Sequence, residues 1–207
     1  VALPYLTLAT GTEHETEVKR SRFICAMAPA PSVETAAEFI AERRKLHPGA
    51  THNCTAYVIG QRLQKGDDDG EPGGTAGTPM VQALVGRGFN DVVAVVTRYF
   101  GGVLLGAGGL VRAYGSAVTE TLDRVDPVRM VPARLVRVSV GHEQAGRLEN
   151  DLRASAYPVR EVGYGAEVSF SVAVGEDQVA AFTDWVATLT AGRAVVAVEA
   201  AIHVPEA

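Results

Sequence analysis

The chain has 207 residues, 47% of them apolar, with a net charge of -5 and a pI near 5.6. That length suits one large domain or two small ones, and the acidic balance excludes a globally basic nucleic-acid binder while leaving room for a local basic groove. No apolar stretch approaches the ~20 residues of a membrane span and no signal peptide opens the chain, so a cytoplasmic protein without membrane contact is expected, its numbering starting after processing or truncation because Val1 is not an initiator methionine.

Tyr5 to Thr10 predicts a short first strand. Residues 16–28 read as one strand with a basic first half. Lys19, Arg20 and Arg22 are there either a solvated strand end or part of an anion-binding face. Ser32 is placed to cap a helix, and Glu34 suits the positive end of its dipole. Val33, Ala37, Ile40 and Ala41 give that helix its apolar stripe, and His47-Pro48-Gly49 stops it. Thr51-His52-Asn53-Cys54 leads into a strand over Thr55 to Ile59. Residues 61–77 read as one long loop, of a kind that is functional or disordered inside a compact domain. Thr78-Pro79 predicts a helix start, a cap followed by proline, with Met80, Ala83 and Leu84 on its buried side.

The stretch from Val92 to Tyr114 organises the rest. Val92-Val93-Ala94-Val95-Val96 is a continuous β-branched run, as in a strand buried on both faces. The strand should end near Thr97-Arg98-Tyr99. Gly101-Gly102 and Gly106-Ala107-Gly108-Gly109 follow, and a helix is predicted from Leu110 to about Arg124. Glycines before a helix allow either a tight turn or a loop whose backbone N–H groups hold an anion. Phosphate-loop and dinucleotide fingerprints are both absent.

Asp126-Pro127 through Pro132 reads as a linker. Beyond it, Val136, Val138 and Val140 alternate with Arg137 and Ser139, as in a strand with one wet face. Ala145, Leu148 and Leu152 mark a helix. Strands follow at 159–164 and 168–172, joined around Gly165. Val179, Phe182, Val186 and Leu189 mark a second helix ended by Gly192, and Ala194 to Val204 closes the chain as a strand. The order βαββαβ is the ferredoxin-like pattern. Trp185 reads as core or interface.

Two cysteines without a C-x-x-C spacing, Cys25 and Cys54, argue against structural zinc and against a disulfide framework. His52 and Cys54 point the same way if the segment is extended. They are either a nucleophile pair or a packed thiol beside a hydrogen-bonded imidazole. Asp67-Asp68-Asp69-Gly70-Glu71 is not an EF-hand. Its carboxylates fit pairing with Arg98 and Arg112, or bonding within the loop, better than they fit a metal.

Glu17-Val18-Lys19-Arg20-Ser21-Arg22-Phe23 resembles the E-x-K-x-S-R-F opening of the YigZ/IMPACT family. Residues 50–57, 68–79, 96–102 and 105–114 resemble its remaining motifs, in the family's order. Gly73 and Leu104 depart from the pattern, where serine and lysine are common. The resemblance implies an α+β protein: an N-terminal α/β domain of the ribosomal-protein and translation-factor type over 1–127, and a ferredoxin-like βαββαβ domain over 128–207.

The leading expectation is a non-enzymatic, translation-linked protein that binds RNA or the ribosome, with a protein partner as a further expectation. Lys19, Arg20, Arg22, Arg98, Arg112 and the glycines Gly101, Gly102, Gly108 and Gly109 would meet phosphate. His52, Asn53, Cys54, Asp68, Asp69, Glu71 and Tyr99 would form a cleft bearing the family motifs. The basic strand, the His-Asn-Cys entry, the acidic turn and the glycine-rich corner are expected to share one concave surface. No cofactor, metal or catalytic residue is assigned. The alternative is a hydrolase acting on a small anionic substrate through His52, Cys54 and the Asp68–Glu71 loop.

Overall fold

The computed structural model describes residues 3–60 and 62–206. They divide into two compact units, Tyr5–Arg129 and a second formed by residues 130–206 with residues 3–4.

The first unit is built on a five-stranded sheet. Its strands are β2 (Thr12–Val18), β3 (Ser21–Pro29), β4 (His52–Ile59), β5 (Leu63–Asp67) and β6 (Val92–Tyr99). They lie in the order β2-β3-β6-β4-β5, every neighbouring pair antiparallel. A short strand, β1 (Tyr5–Thr7), is bonded through Leu6 to Gly88 and Asn90. The valine run forms the central strand, and every residue from Val92 to Arg98 is buried. Alternation then splits the core. Val92, Ala94 and Val96 pack with α2 (Gly77–Gly86) and α3 (Ala107–Leu122), whereas Val93 packs with Tyr57, Ile59 and α1 (Val33–Leu46). Each fully buried valine contributes roughly 1.5–3 kcal/mol by leaving water.

Several local readings change. Residues 16–28 are not one strand. The chain reverses at Lys19-Arg20, both with positive φ (47° and 67°), so β2 and β3 form a hairpin. Such a two-residue turn normally carries Asn or Gly, and two basic residues hide it. The expected loop at 61–77 contains β5, an edge strand exposed at all five residues and held by its pairing with β4; Gln61 lies outside the described residues. The buried face of α1 is Ala36, Phe39 and Ile40, while Val33, Ala37 and Ala41 are exposed. Helix α2 starts at Gly77, so Thr78 is not its cap. The central strand runs on through Tyr99, and α3 starts at Ala107 and stops at Leu122. The expected linker is largely strand, since β7 begins at Val128.

Ser32 caps α1 as expected, its Oγ accepting the Thr35 N–H at 3.2 Å.

The second unit holds β7 (Val128–Val140), α4 (His142–Arg153), β8 (Val159–Tyr164), β9 (Val168–Gly175), α5 (Val179–Thr190) and β10 (Val195–Pro205). The four strands lie in the order β10-β7-β9-β8 with antiparallel neighbours, the ferredoxin-like arrangement. Its core joins Val136, Val138, Val140, Phe170 and Val172 to Leu148, Leu152, Phe182 and Val186. Trp185 is half-buried against Tyr157 and Phe182.

Candidate functional site

The antiparallel pairing of β4 with β6 sets His52 directly opposite Arg98. Both side chains leave the same sheet face, toward the turn that precedes α2. There Glu71 is buried, and its Oε1 accepts from Arg98 Nη1 and from the Tyr114 hydroxyl of α3, each at 2.7 Å. Arg98 is only 5% exposed. Its guanidinium lies between Phe23 and Phe100, 5.5 and 5.6 Å from the ring centroids. Nη2 reaches Ser21 Oγ at 3.3 Å, and Nε is buried with no partner among the described residues. Arg98 is thus a structural cation in an ion pair and not the free phosphate contact expected of it.

The acidic turn is held by its own backbone. Asp68 accepts from the N–H groups of Gly74, Ala76 and Gly77 at 2.7–3.0 Å, capping α2 from a distance in place of Thr78. Partial burial pushes its pKa up, and these three bonds outweigh it and hold the carboxyl below the usual aspartate value. Asp69 accepts from the Asn53 N–H at 2.6 Å and pairs with Arg44. No group of metal-ligating side chains occurs among the described residues.

His52 and Cys54 do point the same way, but not at each other. His52 Nδ1 lies 2.8 Å from the Asp69 carbonyl, and Cys54 Sγ donates to the Asp68 carbonyl at 3.0 Å. Burial pushes the Cys54 thiol up to about 12. With Cys54 buried and its thiol given to a carbonyl, the arrangement is that of the packed alternative.

A cleft of about 420 Å³ opens over these groups, lined by His52, Glu71, Arg98, Phe100, Leu105 and Leu110 together with Thr51, Gly70, Pro72, Leu104, Gly106 and Ala107. Of the residues assigned to the family-motif cleft, only His52 and Glu71 line it. Cys54, Asp68 and Asp69 lie beneath as supports. Asn53 and Tyr99 alternate onto the opposite face, Asn53 Oδ1 accepting from Thr97 and the Tyr99 hydroxyl meeting His47 Nδ1 at 2.9 Å.

Apart from Arg98, the basic residues lie elsewhere. Lys19, Gly109 and Arg112 line a separate groove of about 300 Å³ with Val18, Leu105 and Glu120. Leu105 belongs to both walls. The one expected concave surface is therefore two neighbouring hollows. Arg20 sits on the exposed hairpin turn, against which Gly101 packs so closely that a Cβ there would fall 2.0 Å from the Arg20 carbonyl. Arg22 is spent in a two-pronged bond to Glu15, at 2.7 and 2.9 Å. Gly102 is exposed on the loop and Gly108 is exposed in the first turn of α3, and Gly106 takes a positive φ of 73° to turn the chain into α3.

Sequence reasoning missed the cleft's apolar wall: Phe100, Leu105 and Leu110 carry no polar motif. It also missed Tyr114 as a partner of Glu71. Pairing of Glu71 with an arginine was legible from the bunching of unlike charges.

Fold and site together define a two-domain α+β protein whose N-terminal unit carries a cleft floored by a buried arginine–glutamate pair. Residues 19–122 match the family model for the Impact N-terminal domain, and residues 138–193 match the Domain of unknown function (DUF1949). The chain belongs to the IMPACT family. It is 44% identical over 191 residues to the IMPACT family member YvyE of Bacillus subtilis (strain 168), covering 91% of this chain and 88% of that protein. It is 39% identical over 180 residues to the IMPACT family member YigZ of Escherichia coli (strain K12), covering 85% and 88%. A crystal structure of a hypothetical protein superposes with a TM-score of 0.77 at 34% identity, covering 97% of this chain and 99% of that one. No helix among the described residues is long and apolar enough to cross a membrane.

Proposed function

We propose that this protein is a non-enzymatic, translation-linked factor that binds single-stranded RNA, on the ribosome or free, through its N-terminal unit. The observation that carries the reading is the placement of Lys19 and Arg112 in one groove, with Arg20 on the adjoining turn. Among the described residues these cations of the site have no ion-pair partner, whereas Arg22 and Arg98 have carboxylate partners. Phe100, Val103 and Leu104 are exposed on the segment between β6 and α3, and Phe100 and Leu104 line the neighbouring cleft. Cations that follow a backbone next to apolar faces that receive bases suit single strands. Glu120 in the same groove tempers the attraction.

The hydrolase alternative loses support because its thiol is buried and bonded to a carbonyl. Fluorescence anisotropy with labelled RNA tests the binding reading. Replacing Lys19, Arg20 and Arg112 together by alanine should weaken binding at about 50 mM salt by at least tenfold and flatten the salt dependence by about two to three ions. Unchanged affinity would overturn it.

A further inference from the structure

The tautomer of His52 follows from its neighbours. Nδ1 faces the Asp69 carbonyl at 2.8 Å, and a carbonyl only accepts. Nδ1 therefore carries a proton, which leaves Nε2 as the acceptor of the neutral tautomer. That nitrogen lies 3.8 Å from Glu71 Oε2, beyond hydrogen-bond distance. Arg98 and Tyr114 both donate to Oε1, so no described residue donates to Oε2. Two acceptors thus stand side by side on the wall of a largely apolar cleft, with Glu71 7% exposed. Such an edge repels phosphate and asks for two adjacent donors.

Resting on the RNA-binding reading above, we infer that this cleft takes one unstacked guanine base of the bound strand, whose N1–H and N2–H groups face Glu71 Oε2 and His52 Nε2. Guanine is the base whose Watson–Crick edge sets two donors next to each other. Adenine and cytosine place the amino group beside a ring acceptor, and uracil flanks its N–H with carbonyls. Each of these would set an acceptor against an acceptor. Phe100 offers a partly exposed ring for stacking, and Leu105 and Leu110 give apolar walls. Leu105 also borders the basic groove, so a strand held there by its phosphates has a base within reach of the cleft.

The test uses the full chain and oligouridine of about twelve nucleotides, against the same strand with one central guanine, inosine or N1-methylguanine. One guanine should tighten binding about tenfold over oligouridine, as a good pair of base contacts does. Inosine, which lacks the 2-amino group, and N1-methylguanine should each fall back to the oligouridine level. His52→Phe, checked for an unchanged unfolding midpoint, should erase the guanine preference. If guanine and uridine strands bind alike, or inosine binds as guanine does, this assignment is overturned while RNA binding through the groove stands. If no strand binds, the RNA-binding reading falls and this assignment with it.

Discussion

Arg98 and Glu71 form an ion pair 2.7 Å long in which both side chains are almost wholly buried. Taking two charges out of water is costly, and removing one partner strands the other. Glu71→Met should therefore lower stability by about 3–5 kcal/mol, and Arg98→Met by a comparable amount. The double variant Glu71→Met/Arg98→Met should lose clearly less than the sum. Urea unfolding midpoints of the four proteins measure this, and strict additivity would show that the two groups act independently.

Cys54 should be silent toward alkylating reagents in the folded protein. Its thiol is raised to about 12 by burial and donates to the Asp68 carbonyl. Iodoacetamide at mildly alkaline pH, followed by mass spectrometry, should label it only after unfolding. Rapid labelling of the native protein at Cys54 would restore the nucleophile reading.

Asp68 ties three backbone N–H groups at the head of α2. Its carboxyl is held below the ordinary value, so it stabilises the fold above that value. The contribution is lost as pH falls through the depressed one. Asp68→Asn should cost about 2 kcal/mol at neutral pH, from bonds that exploit the charge. It should also flatten the acid limb of the stability curve. Denaturant titrations at a series of acidic pH values compare the two proteins.

The Lys19-Arg20 turn predicts opposite effects on stability and binding. Both residues sit at positive φ, where asparagine and glycine are easier to accommodate. Lys19→Asn/Arg20→Gly should raise stability by about 0.5–1 kcal/mol while weakening RNA binding. Thermal melts and anisotropy on the same samples read both. A destabilised variant would contradict the turn assignment.

What the sequence made legible follows where its signals were local. The valine run gave the central strand because one residue type reports burial on both faces. The alternating valines 136, 138 and 140 gave the first ferredoxin-like strand because period two is visible in the letters. Strand β5 left no trace, since Leu-Gln-Lys-Gly-Asp owes its form to the hydrogen bonds of β4 and not to apolar side chains. The site was half visible. The unlike charges of Glu71 and Arg98 suggested a pair. Strand alternation, which sends Tyr99 and Asn53 away from His52, depended on a register that only the assembled sheet supplies.

Gly101 rests directly on the carbonyl of Arg20 with no room for a methyl group. The hairpin turn and the glycine corner are therefore packed against each other at this point. If a strand binds as proposed, gripping the turn would also bear on the rim of the neighbouring hollow, and even alanine at this one position would prise the two apart.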